Sequence, residues 1–185
     1  MAITAGEILV KLSTTAGAAG NTTAQADVNQ SLGKYMSTTQ ITDASLNNLF
    51  DDLTGSENAA GGSEVEYRCF FFENSNATLT LQNAKVYLVG GDPAGGATMA
   101  IALDGTGVVP RGQAGAQAEQ IANESTAPSG EAFSAPSTYA GGLTPGAGSI
   151  PPQQCFAVWV RRTAANSAAV NPDTLVVRLE GDTLP

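Results

Sequence analysis

Large apolar residues along this chain gather into a few short runs, and most of those runs alternate. Residues 65–72 (Val-Glu-Tyr-Arg-Cys-Phe-Phe-Phe) show this best. Val65, Tyr67, Cys69 and Phe71 fall on one face of a strand, and Glu66, Arg68, Phe70 and Phe72 on the other. That second face is polar at its start and apolar at its end, which predicts a strand that enters a covered region midway. Residues 154–162 place Phe156, Val158 and Val160 on one face and Cys155, Ala157 and Trp159 on the other. Apolar residues on both faces predict a central strand covered on each side. Further strands are predicted at 7–13, 31–37, 97–104 and 174–180. In 97–104, Ala97, Met99, Ile101 and Leu103 share a face; in 174–180, Leu175, Val177 and Leu179 point inward. Residues 78–81 and 84–89 read as one strand, bulged around Gln82-Asn83.

Between these runs the pattern weakens. Asp43 is placed to cap a short helix over Ala44 to Asp52, with Leu46, Leu49, Phe50 and Leu53 at helical spacing. Residues 14–30 hold few large apolar side chains and read as an arm or long loop. Residues 105–152 are rich in Gly, Pro, Ser and Ala, with only scattered Ile121, Phe133, Tyr139, Leu143 and Ile150. They read as an extended loop excursion, with short strands near 117–122 and 131–134. A structureless loop of that length is unusual in a compact domain, so either those strands form or the segment leans on a partner. Asn74-Ser75-Asn76 and Gly90-Gly91-Asp92-Pro93 are turn signals. Seven to nine short strands without strand–helix–strand alternation predict an all-β fold. The expected architecture is an antiparallel, jelly-roll-like β-sandwich with long Gly/Ala-rich loops and an N-terminal arm, residues 1–185 forming a single β domain.

Composition narrows the chemistry. There are 30 Ala and 21 Gly among 185 residues, so the strands must supply nearly all of the core. The absence of histidine excludes a Ser-His-Asp or Cys-His unit and any histidine-ligated metal. Seventeen acids against eight bases give a net charge of −9, which argues against direct nucleic-acid binding over a broad face. No run approaches the roughly 18 apolar residues of a membrane span, and no basic stretch followed by an apolar one marks a secretory signal. Cys69 and Cys155 lie inside apolar runs and read as buried thiols; a disulfide between neighbouring strands is the alternative.

Short motif matches carry little. Residues 43–73 hold seven acids, among them Asp51, Asp52, Glu57, Glu64, Glu66 and Glu73, against one base. Their spacing fits no calcium loop, and a solvated acidic face is the simpler reading. Asp52-Leu53-Thr54-Gly55 and Asp104-Gly105-Thr106-Gly107 have the wrong order for an aspartic-protease loop. Gly105-Thr106-Gly107 lacks the Gly-Lys-Ser/Thr of a phosphate loop. The sequons at Asn21, Asn76 and Asn123 are expected by chance in such a chain. Arg161-Arg162 reads as a pair that flanks a strand end and meets acids, or else bridges to a partner subunit. Trp159 reads as core. No residue is assigned a catalytic, cofactor-binding or metal-ligating role, and no cofactor is expected.

Several blocks together carry a resemblance. They are Glu64-Val65-Glu66-Tyr67-Arg68-Cys69-Phe70-Phe71-Phe72-Glu73-Asn74 with Asn76-Ala77-Thr78-Leu79-Thr80-Leu81, and Val158-Trp159-Val160-Arg161-Arg162-Thr163 with Arg178-Leu179-Glu180-Gly181-Asp182. Leu32-Gly33, Tyr35, Ser37, Asn48-Leu49-Phe50-Asp51 and Gly55 fit the same pattern. Over about half its length the chain resembles a family of small virion structural proteins of tailed bacteriophages. The resemblance implies a non-enzymatic particle component, in the first place a capsid decoration (cement) protein. It implies the major capsid protein as partner, self-association as a homotrimer, and location in the virion after assembly in the host cytoplasm. A neck, tail or head-fibre subunit is the alternative within that class. A carbohydrate- or receptor-binding β-sandwich module, and a hydrolase using carboxylates alone, are the alternatives outside it.

Overall fold

The computed structural model describes residues 2–17, 22–52, 64–89, 97–164 and 174–183. Among these residues nine strands follow in chain order: β1 (Ile8–Thr14), β2 (Tyr35–Gln40), β3 (Glu64–Asn74), β4 (Leu81–Leu88), β5 (Thr98–Leu103), β6 (Val109–Pro110), β7 (Ser149–Ile150), β8 (Gln154–Ala164) and β9 (Val177–Thr183). The only helical turns among the described residues are two short 3-10 segments, Ala5–Glu7 and Val28–Gln30. All strand pairings are antiparallel. The large sheet runs β2-β1-β3-β8-β5, with β6 adding to β8; the small sheet runs β7-β4-β9. The fold is an antiparallel β-sandwich.

β3 and β8 are its spine. They pair without a register break from Glu64↔Ala164 to Asn74↔Gln154. Their alternation divides the core as the sequence predicts. Phe70, Phe72, Phe156, Val158 and Val160 face the small sheet and pack with Leu81, Val86, Ile101 and Ile150. Tyr67, Cys69, Phe71, Cys155, Ala157 and Trp159 face the opposite way and pack with Leu32, Met36, Ala118 and Ile121. The large sheet is therefore covered on both faces, by the small sheet on one and by loops on the other. The polar start of β3 is covered too: Glu66 and Arg68 are both buried, so the expectation of a strand that enters cover only midway is corrected.

The segment 105–152 supplies most of the loop cover. Ala118 and Ile121 are buried against the Trp159 face. Ser134 bridges Ile101 at the β5 edge, Leu143 bridges Val86 of β4, and Ser149–Ile150 form β7 beside β4. The chain thus passes from one face of the large sheet, around its β5 edge, to the small sheet. The short strands expected near 117–122 and 131–134 reduce to single bridges at Gln120 and Ser134. Residues 22–30, expected as part of an arm, lie along β2: Thr38 N–H donates to Thr23 O at 2.9 Å, and Gln25 N–H to Thr39 Oγ1 at 2.9 Å.

The helix expected over 44–52 does not form. Ala44 and Asn47 have φ of 57° and 55°, in the left-handed region. Asp43 Oδ1 accepts from the adjacent Ala44 N–H rather than from an amide a turn later. Leu49 and Phe50 still reach the core, but Leu46 is 71% exposed. Separate turns bury two of the side chains that a helix face would have buried, and Leu53 lies outside the described residues. The expected bulge in β4 is present: its register with β9 shifts between Gln82 and Lys85, and Asn83 has φ 52°.

Candidate functional site

Charged and hydrogen-bonding groups concentrate in three buried clusters on the large sheet. The first lies at the Glu64 end of β3. Glu66 and Arg162 are direct cross-strand partners, and Arg68 shares their face. Arg162 Nε donates to Glu66 Oε2 at 2.7 Å, and its Nη1 donates to the Asp51 carbonyl at 2.8 Å. Arg68 Nη2 donates to Asn29 Oδ1 at 2.7 Å and also pairs with Glu124. Asn29 Nδ2 donates to Asp51 Oδ2 at 2.8 Å. The Phe50 ring lies against both guanidiniums, 4.6 Å from that of Arg162 and 5.3 Å from that of Arg68. Burial pushes the Glu66 carboxyl above the usual range, against the opposing pull of Arg162 and Arg68.

The second cluster lies at the other end of β3. Glu73 has no exposed area; one carboxylate oxygen accepts from Lys11 Nζ at 2.6 Å and the other from Arg111 Nη1 at 2.9 Å. Cys155, its cross-strand partner, is pushed up to about 12, first by burial and then by the Glu73 charge. Cys69 is likewise pushed well up by burial and then by Asp104. Both cysteines are free thiols. They sit four residues apart in the β3–β8 register, a separation of about 13 Å along the strands, beyond disulfide reach. Thiols so shifted stay protonated at neutral pH.

The third cluster centres on Asp104, at the end of β5. Its Oδ2 accepts from Trp159 Nε1 and from Glu119 N–H, each at 2.9 Å, and its Oδ1 from Thr106 N–H at 2.9 Å. Beside it, a hydroxyl chain runs from Gly33 N–H to Ser13 Oγ at 2.8 Å; Ser13 Oγ and Ser31 Oγ lie 3.2 Å apart, and Ser31 Oγ donates to Cys69 O at 2.6 Å. Every one of these groups ties a loop to the sheet.

The acids of 43–73 are thus not one cluster. Asp51 and Glu66 share the guanidiniums of Arg68 and Arg162; Glu73 lies seven residues further along β3, about 24 Å away; Glu57 lies outside the described residues. Arg162 meets acids as expected, whereas Arg161 stacks on Phe133 at 5.3 Å. Trp159 is fully buried core. Glu119 and Gln117 make structural bonds that the sequence did not single out, and Asp104 and Asn74, noted only in a rejected motif and a turn signal, prove to be structural anchors.

Among the described residues no group of three or more His, Cys, Asp or Glu side chains is placed to hold a metal ion. Among the described residues no helix is long and apolar enough to cross a membrane. A shallow groove of about 260 Å³ lies beside the β2 edge, lined in part by Leu12, Val28, Ile41 and the exposed Leu46. All eleven aromatic residues lie within the described chain, and only Tyr139 is exposed, at 36%; its hydroxyl donates to Asn83 O and its ring meets Tyr87 edge-on. No family model, curated protein or solved structure matches the chain.

Proposed function

We propose that this chain is a non-enzymatic structural protein of a tailed-bacteriophage particle, acting as a capsid decoration (cement) protein on the major capsid lattice. One observation carries the reading: the resembling blocks 64–74 and 158–163 fall on β3 and β8, the paired strands from which both cores are built. The resemblance therefore lies in the framework of the fold rather than in a surface loop.

Two features support the role. The ion-paired charges are spent on internal ties. Lys11, Arg68, Arg111 and Arg162 pair with Asp51, Glu66, Glu73 and Glu124. Setting these aside leaves thirteen acids and four bases in the sequence. A partner surface that is basic or neutral suits such a chain; phosphate and anionic lipid do not. The second feature is the closed framework, a sheet covered on both faces and clasped around one edge by its own 105–152 segment. Such a body transmits load between neighbouring capsid subunits without rearranging. With 105–152 folded onto its own sheet, the lattice contacts fall to the outer surfaces of loops and strand edges.

The test is co-sedimentation of the purified chain with empty capsids over a range of salt. Saturable binding that weakens as salt rises is expected. A chain that stays in the supernatant with intact capsids contradicts the proposal.

A further inference from the structure

Among the described residues, β9 pairs with β4 alone and is an edge strand of the small sheet. In the small sheet, Ala84, Val86 and Leu88 of β4 direct their backbone groups toward the β7 side: Ala84 N–H donates to Gly148 O, Val86 N–H to Leu143 O, and Leu88 N–H to Pro136 O. Leu179 stands opposite Val86, and Val177 opposite Leu88. In an antiparallel ladder, residues opposite such positions turn their own N–H and C=O away from the shared interface. Val177 and Leu179 therefore present backbone donors and acceptors along the far edge of β9. Among the described residues, no backbone partner meets them there. The same strand alternates half-buried Val177, Leu179 and Gly181 with exposed Arg178, Glu180 and Asp182.

We propose that β9 pairs antiparallel with β9 of a second copy of this chain, on a two-fold axis through Leu179, joining the two small sheets into one continuous six-stranded sheet. Register selects this arrangement. Centred on Leu179, Leu179 of each copy exchanges both backbone hydrogen bonds with its counterpart. Arg178 of each copy then faces Glu180 of the other at the close, non-hydrogen-bonded position, giving two opposite-charge cross-strand pairs. A shift of two residues one way sets Arg178 against Arg178, and the other way Glu180 against Glu180. Exposed edge strands are usually guarded by charge that repels a second strand. Here the two charges have opposite signs and flank the centre symmetrically, so they admit an identical strand in one register. Val177 and Leu179 of the second copy extend the apolar face that already covers Phe70, Phe72 and Val158. A two-fold contact is isologous and closes on itself.

The pairing departs from the homotrimer that the resemblance implies, and it is tested on the chain alone. Sedimentation velocity of the full chain is expected to show a species of twice the 18.7 kDa chain mass. R178E and E180R, each placing like charges opposite one another, are expected to weaken that species by roughly tenfold or more. The decisive step is mixing: R178E and E180R chains together restore opposite-charge pairs and are expected to recover the double mass as a heterodimer. Circular dichroism of each variant alone establishes that it is folded. A monomeric or trimeric wild-type chain overturns the proposal, as does a double-mass species indifferent to R178E, or a mixture of folded variants that fails to reassociate.

Discussion

Trp159 and Asp104 are joined through the indole: Nε1 donates to Asp104 Oδ2 at 2.9 Å in a buried bond that spans 55 residues of chain. The same oxygen accepts the Glu119 amide, and so one carboxylate holds both the central strand β8 and the loop that covers it. Among the described residues no second sheet lies over the Trp159 face, and this bond is one anchor of its loop cover.

Asp104→Asn tests that anchor. An amide cannot accept at both carboxylate positions, so either Thr106 N–H or the pair formed by Trp159 and Glu119 meets a donor instead of an acceptor. A loss of about 1–3 kcal/mol is expected in urea unfolding. Trp159 is the sole tryptophan, so a red shift of its emission in the folded variant reports water reaching that face.

Gly33 tests the close approach of the same loop. Its φ is +87°, and a Cβ there would stand 1.9 Å from Glu119 O and 3.0 Å from the Trp159 ring. Backbone is the obstacle, so no side-chain adjustment relieves it. Gly33→Ala is expected to cost about 3 kcal/mol or more, read from the denaturation midpoint, or to prevent folding.

Glu73 tests the buried ion pair. Glu73→Gln leaves Lys11, 13% exposed at its side chain, without its carboxylate, and a loss of about 3–5 kcal/mol is expected. The double change Lys11→Met with Glu73→Leu removes both charges and is expected to recover most of that loss, since Arg111 is half-exposed and is resolvated. A double variant as unstable as Glu73→Gln would show that the charge itself is required.

Cys155 gives a pH signature. Its folded value, about 12, stands above the ordinary thiol value of 9.0, so the unfolded chain releases this proton first. The stability it contributes is complete below pH 9 and is lost as pH rises from 9 toward 12, at up to about 1.4 kcal/mol per pH unit. Cys155→Ala is expected to cost about 1 kcal/mol at neutral pH and to unfold with a shallower slope than the wild type in that window. Parallel slopes would place the alkaline loss elsewhere.

The strands and their faces were legible because a covered β-strand writes its burial directly into alternation. Phe156, Val158 and Val160 face one core and Cys155, Ala157 and Trp159 the other, as their spacing requires. The bulge at Gln82-Asn83 showed for the same reason, as a break in that alternation. The region 43–52 misled because Leu49 and Phe50 occupy helical spacing while Ala44 and Asn47 adopt left-handed turns that spacing does not encode. The course of 105–152 was hidden because its anchors are single residues, Ala118, Ile121, Ser134 and Leu143, each bound by a distant strand rather than by neighbours in sequence. The long-range ties of Glu73, Asp104 and Arg68 were hidden likewise: Glu119, Asn29 and Lys11, which they bind, lie 15 to 62 residues away.

Electron microscopy of phage particles carrying a labelled version of this chain locates it on the particle. Label density repeating on the capsid lattice is the expected result. Density confined to the neck or tail, or particles without label, would contradict a capsid decoration role.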